Sequence, residues 1–167
     1  LMQKVDFTSE ITLDSLEQLL KSLVESNEIT PEVAAKVPVT QAYEFFQSTF
    51  GQWIVHNSHA LVREQAFSYV LEAGEFFKSI QTDDLMMIHG IIDGYIELDN
   101  DIVVFDYKTD YVVDTTEGIQ SIVRKYKDQL NIYADALAIS CNKNVTRKVL
   151  CLLSINKNID IDTLKVI

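Results

Sequence analysis

The stretch that decides the fold runs from His89 to Asp110 and reads HGIIDGYIELDNDIVVFDYKTD. Side chains of a strand point alternately to its two faces, so the odd positions from His89 to Glu97 are expected to share one face, Asp93 among them. On a second strand Ile102, Val104, Asp106 and Lys108 share a face in the same way. Asp99 and Asn100 lie between the two strands, a pair that tolerates the left-handed backbone of a tight turn. A two-residue loop there pairs Leu98 with Asp101 and, counting back, Asp93 with Asp106, their Cβ atoms roughly 4.5–5.5 Å apart. Two ionised carboxylates that close repel, so one holds a proton or a cation lies between them. Lys108 points the same way. Carboxylates gathering a hard divalent ion beside an ammonium suit phosphodiester hydrolysis.

An Asp-x-Lys tripeptide alone carries little weight, because a surface hairpin with a cross-strand ion pair supplies one without any chemistry. Three neighbouring features add to it. Val103, Val104 and Phe105 form an apolar run that puts Asp106 at the end of a buried strand, where an unpaired charge is costly. Gly90 and Gly94 flank Asp93 and are expected to leave room for a close ligand. Gln129 and Tyr133 stand four residues apart on a predicted helix and so share a face of it.

Taken in order and spacing, Arg63-Glu64, Gly90-Ile-Ile-Asp93, Asp106-Tyr-Lys-Thr-Asp110 and Gln129-x-x-x-Tyr133 resemble the RecB-like branch of the PD-(D/E)XK nucleases. More narrowly, they resemble the C-terminal nuclease domains of the A subunits of bacterial AddAB (RexAB) helicase–nucleases. The resemblance covers residues 63–133, about half the chain. It implies a restriction-endonuclease-like core and a divalent ion, Mg²⁺ or Mn²⁺, held by Asp93, Asp106 and the carbonyl of Tyr107. It further implies that Lys108 orients or activates the attacking water and steadies the scissile phosphate. Gln129 and Tyr133 then buttress the site and contact the DNA backbone, and Glu64 adds an acidic group near the metal. In such machines the motor part binds ATP and feeds a single strand to the nuclease, and a B-type subunit completes a heterodimer that processes double-strand breaks for recombinational repair. One element of the family pattern is missing. These nucleases carry a metal-binding histidine in a Gly-x-x-x-His context upstream, and LMQKVDF resembles the segment just after that histidine. The chain is therefore expected to be a fragment that begins a few residues late, and alone it is expected to cut DNA poorly or not at all.

Composition bounds the remaining choices. A length of 167 residues, 47% of them hydrophobic, with five Gly and two Pro, is expected to form one domain with a proper core. Cys141 and Cys151 show neither metal-ligand spacing nor a disulfide framework, which points to a reducing cytoplasm. No apolar run approaches the ~20 residues of a membrane span. Acidic residues outnumber basic ones 25 to 14, for a net charge of −11. A free-standing DNA-binding protein draws most of its affinity from neutralising phosphates. The acidic balance therefore fits a nuclease only if another part of a larger machine delivers the DNA.

Along the chain the expected organisation is a helical section over 10–58 and a catalytic core over 60–167. Thr12 or Asp14 caps a helix to about Ser26, and Thr30-Pro31 opens a short one that Pro38 ends. A third helix over about 40–50 carries Tyr43, Phe46 and Phe50 as core residues and stops at Gly51. Trp53 is open to packing or to a nucleic-acid contact. His56 and His59 are expected in a polar loop, without a catalytic role. Leu61 to Leu71 reads as a strand with Val62, Glu64, Ala66, Ser68 and Val70 on one face. Glu64 there is either paired with Arg63, exposed, or part of the site. His89 lies roughly 13 Å along the strand from Asp93, too far to share one ion. A short helix is expected over 74–80, and a long one over about 117–139 with Ile119, Ile122, Val123, Tyr126, Leu130, Tyr133, Ala134 and Leu137 as its apolar stripe. Arg124, Lys125 and Lys127 on it are candidates for phosphate contacts or for a solvated face. Lys148 to Ser154 is an apolar strand and Ile159 to Ile167 a final edge strand. The fold expected is α/β: a mixed central sheet flanked by helices, with an N-terminal helical section. A metal-dependent deoxyribonuclease domain is the function favoured. The alternatives are a nuclease-like fold kept for binding or assembly, and a standalone RecB-like exonuclease.

Overall fold

The computed structural model describes residues 1–76 and 82–167. A 3-10 turn at Met2–Lys4 leads to α1 (Leu13–Glu25), α2 (Pro31–Ala34), α3 (Val39–Gln47) and α4 (Thr49–His56). Then come β1 (Leu61–Glu72), α5 (Ala73–Phe76), β2 (Leu85–Glu97), β3 (Asp101–Lys108), α6 (Thr116–Cys141), β4 (Asn144–Leu152), β5 (Lys157–Asp160) and β6 (Lys165–Val166). Among the described residues the strands form one mixed sheet in sequence order, with β3 and β4 parallel across the α6 crossover and the other neighbours antiparallel.

Two apolar layers hold the sheet. Val103 and Phe105 of β3, with Val149 and Cys151 of β4, pack against Leu16, Phe45, Phe46, Phe50 and Ile54 of the N-terminal helices. The alternate residues Ile102, Val104, Leu150 and Leu152 pack against Leu130, Tyr133 and Leu137 of α6. Covered on both faces, β3 reads as a continuous apolar run, as buried parallel strands do. Its even positions face α6. Asp106 and Lys108 are the next two even positions.

Several local expectations change. Thr12 caps α1 in a reciprocal pair with Ser15, an arrangement that contributes about 1 kcal/mol. Pro38 does not end α2; it stands at the start of α3. The single helix expected over 40–50 is two, broken at Ser48, whose hydroxyl accepts the Gly51 N–H and donates to the Phe45 carbonyl. Gly51 is no terminator. It lies inside α4, where a Cβ would collide with the Phe45 carbonyl. His56 closes α4 and His59 lies in a 3-10 turn, rather than in a loop. Trp53 stacks on Phe50 with ring centroids 5.6 Å apart, against the helical core. The helix expected over 74–80 is described only as α5, and its remainder lies outside the described residues. The last strand is two short strands, β5 and β6, joined by a turn in which Leu164 takes φ 57°.

The largest departure concerns β1 and β2. Strict alternation predicts that residues three or five apart face opposite ways. Yet Ile92 and Tyr95 both reach the α6 layer, and so do Val62 and Phe67. The reversal sits where Glu64 adopts φ 53°, opposite Asp93, and the ladder skips from Arg63↔Gly94 to Gln65↔Ile92. A residue in the left-handed region kinks a strand and re-aims its side chains. The shared faces expected for His89 through Glu97, and for Val62 through Val70, are therefore each cut in two at this point.

Candidate active site

The hairpin register is the one a two-residue loop gives. Gly94 pairs with Phe105, Glu97 with Ile102, and Leu98 donates its N–H to Asp101 at 2.9 Å. The ladder stops at Gly94, so Asp93 is the first residue of β2 released from β3. Its Oδ2 instead accepts the backbone N–H of Tyr107 at 2.9 Å, bracing the carboxylate beside the next strand. The Tyr107 ring turns away into the helical core, edge-on to Phe45 and Phe105, and burial pushes its phenol well above its ordinary pKa.

Asp106 is only 2% exposed. Its Oδ2 lies 2.6 Å from Lys108 Nζ, a buried ion pair, and no other donor reaches that oxygen. Burial raises the Asp106 pKa to about 6; Asp93 and Asp110 push the same way, and Lys108 opposes. Ionised, the group costs the fold stability. Carboxylates perturbed by burial beside a charge partner cluster at functional sites, and structural ion pairs also produce them.

Lys108 is gripped from α6. Its Nζ donates to Gln129 Oε1 at 3.1 Å, and Gln129 Nε2 donates to Tyr133 Oη at 2.7 Å. Tyr133 packs edge-on against Phe67 of β1, and burial first, then Asp106, raises its pKa to about 12. Tyr126, which sequence patterning reads only as part of an apolar stripe, joins the site together with Asp110 of the quoted motif. The Tyr126 ring lies under Lys108 Nζ, 4.1 Å from its centroid, and its hydroxyl donates to Asp110 at 3.0 Å. The available signal is the spacing: Tyr126, Gln129 and Tyr133 fall at i, i+3 and i+7, one face of one helix.

On the other side, Arg63, Glu64, Asp93, Tyr107 and Thr109 line a cleft of about 220 Å³ together with the Leu1–Gln3 backbone turn. Arg63 does not pair with Glu64. Its guanidinium donates to the carbonyls of Val5 at 2.9 Å and Met2 at 3.5 Å and lies over the Phe7 ring. Glu64 is exposed at the cleft. Gly90 and Gly94 do not hold space for a ligand: the rings of Phe67 and Phe105 occupy it. His89 is exposed and bonds Ser68 at 2.8 Å.

The basic residues of α6 divide. Lys125 is committed to Asp110 at 2.7 Å, which raises its pKa. Arg124 and Lys127 line a separate groove with Val123, Ile161 and Leu164, on the flank away from Lys108. Among the described residues no three His, Cys, Asp or Glu side chains form a metal-binding group. What the site offers a hard cation is the two carboxylates at the end of the hairpin, Asp93 and Asp106, and oxygen donors of that kind fit a divalent ion of the Mg²⁺ class.

The mixed sheet, its central hairpin and the α6 crossover define an α/β fold, and comparison with known proteins gives the family. The PD-(D/E)XK nuclease superfamily model matches residues 6–161, and the chain belongs to that superfamily. Its relatives narrow the branch. The chain is 38% identical over 161 residues to the A subunit of the ATP-dependent helicase/nuclease of Ligilactobacillus salivarius, covering 95% of this chain and 13% of that protein. It is 37% identical over 166 residues to the protein of the same name in Enterococcus faecalis, covering 98% and 13%. With that of Limosilactobacillus fermentum it shares 41% over 140 residues, covering 81% and 10%. The chain thus spans about an eighth of the length of the first two. No helix among the described residues is long and apolar enough to cross a membrane.

Proposed function

We propose that this nuclease domain hydrolyses DNA phosphodiesters with a divalent ion, Mg²⁺ or Mn²⁺, within a cytoplasmic ATP-dependent helicase–nuclease that processes double-strand breaks. The observation that carries the reading is Asp106: a carboxylate only 2% exposed, its pKa raised by burial, ion-paired with Lys108 at 2.6 Å and one residue past the last hairpin pair, Gly94↔Phe105. A domain kept only for binding or assembly gains nothing from retaining that costly group.

Asp93, Asp106 and the Tyr107 carbonyl are the groups we assign to the ion, with Glu64 at the open side. The bound ion supplies a Lewis acid for the phosphate and a more acidic water. The protein's own role is positional. Tyr107 N–H orients Asp93, and Gln129, buttressed by Tyr133, holds the Lys108 ammonium where it can neutralise developing phosphate charge. A net charge of −11 repels a polyanion, which favours delivery of a single strand by an ATP-driven motor elsewhere in the protein. That the relatives are named as A subunits supports a second, B-type partner. Asp106→Ala in the full-length protein should abolish nuclease activity while ATP hydrolysis and unwinding continue. Near wild-type cleavage by that variant would remove the proposed role.

A further inference from the structure

We infer that Tyr126, anchored by Asp110, is a positioning residue that seats the Lys108 ammonium for the nuclease reaction, an inference that rests on the site assignment above. A lysine ends in four freely rotating carbons and a compact charge, so its ammonium goes where its partners hold it. Here the partners are three. Asp106 lies 2.6 Å away, Gln129 accepts at 3.1 Å, and the face of Tyr126 lies 4.1 Å below. An ammonium over an aromatic face is attracted by the ring's quadrupole, and the attraction strengthens where water is excluded. Lys108 is such a place, with 15% of its side chain exposed.

The ring is itself fixed. Tyr126 Oη lies 3.0 Å from both oxygens of Asp110, and Lys125 holds the same carboxylate at 2.7 Å. Lys125 Nζ also lies 4.7 Å from the ring centroid, but its charge is already matched by Asp110. A divalent ion held by Asp106 would compete with Lys108 for that carboxylate. Gln129 and the Tyr126 face then remain as the lysine's own supports. The loop after β3 thereby acts on the lysine of β3 through a residue of α6: Asp110 to Tyr126 to Lys108.

The test uses the full-length helicase–nuclease together with its partner, cutting single-stranded DNA, with ATP hydrolysis verifying that each variant is assembled. Tyr126→Leu should lower kcat about tenfold, with KM for DNA and the half-saturating Mg²⁺ within about twofold of wild type. Tyr126→Phe, which keeps the ring, should retain at least about a third of the rate. Tyr126→Met carries the same test as Leu should the Leu variant fail to assemble. A wild-type kcat in the aliphatic variants overturns the inference. So does a Phe variant as slow as Leu, or a loss matched by a rise in KM or in the Mg²⁺ requirement, which marks a collapsed site. Lys108→Ala separates the two layers. If it is inactive while Tyr126→Leu cuts normally, only the role of Tyr126 fails; if Lys108→Ala cuts normally, the site assignment fails with it.

Discussion

Asp93 and Asp106 are the same residue type, each one residue past the last pair of one hairpin, Gly94↔Phe105, yet their surroundings differ almost completely. Asp106 sits at the end of a strand covered on both faces, buried with the Lys108 ammonium pressed against it. Asp93 lies where β2 parts from β3, lines an open cleft, and accepts a backbone N–H. Paired carboxylates divide their work when environment sets them apart. In the proposed site the buried member is assigned to the cation at a cost to the fold, and the half-buried Asp93 to completing it from the solvent side.

The comparison breaks first on activity. Asp93→Ala and Lys108→Ala should each lower DNA cleavage by the full-length protein at least about 100-fold, since each removes charge placed at the phosphate. They should diverge on metal response. Asp93→Ala raises the Mg²⁺ concentration needed for its residual activity, whereas Lys108→Ala leaves that concentration within about twofold. Equal metal responses in steady-state assays would mean that the lysine, too, acts through the ion.

Stability sharpens it next. In EDTA at a pH above about 6, where Asp106 is ionised against the net penalty of burial, Asp106→Asn should raise the stability of the chain by roughly 1–2 kcal/mol. Asp93→Asn should stay within about 0.5 kcal/mol, because its amide oxygen can still accept the Tyr107 N–H. Thermal unfolding of the two variants beside wild type reads the difference, and an Asp106→Asn variant that melts lower contradicts the reading of this group as a strained functional one. A smaller effect is expected at Glu64, whose φ of 53° costs a residue with a Cβ. Glu64→Gly should stabilise the fold by up to about 1 kcal/mol in the same melts. A loss of stability there would mean that the Glu64 side chain makes contacts worth more than the strain.

Much of this is legible in the residues, and the boundary is physical. The hairpin register follows from Asp99-Asn100 because a two-residue turn leaves one pairing. The Thr12 and Thr30 caps and the α6 stripe follow from local chemistry. The features that stay hidden depend on a partner distant in sequence. Nothing in the identity of Glu64 announces a left-handed backbone, so the face reversal at Asp93 is invisible before folding. Gly51, Gly90 and Gly94 each read as a terminator or a space for ligand, yet each yields to a carbonyl or a ring from another element. The basic cluster of α6 reads as phosphate contacts or a solvated face, and only folding divides it: Lys125 pairs with Asp110, while Arg124 and Lys127 line a separate groove. Tyr126 reads as core because an aromatic at helical spacing usually is.

The central claim is that Asp93 and Asp106 together hold one divalent ion and that Lys108 does not. Calorimetric titration of Mn²⁺ into the full-length protein, compared with Asp93→Asn, Asp106→Asn and Lys108→Ala, tests it most directly. The nuclease-domain binding event should disappear in both aspartate variants and persist in Lys108→Ala. Unchanged Mn²⁺ binding in Asp106→Asn would contradict the claim.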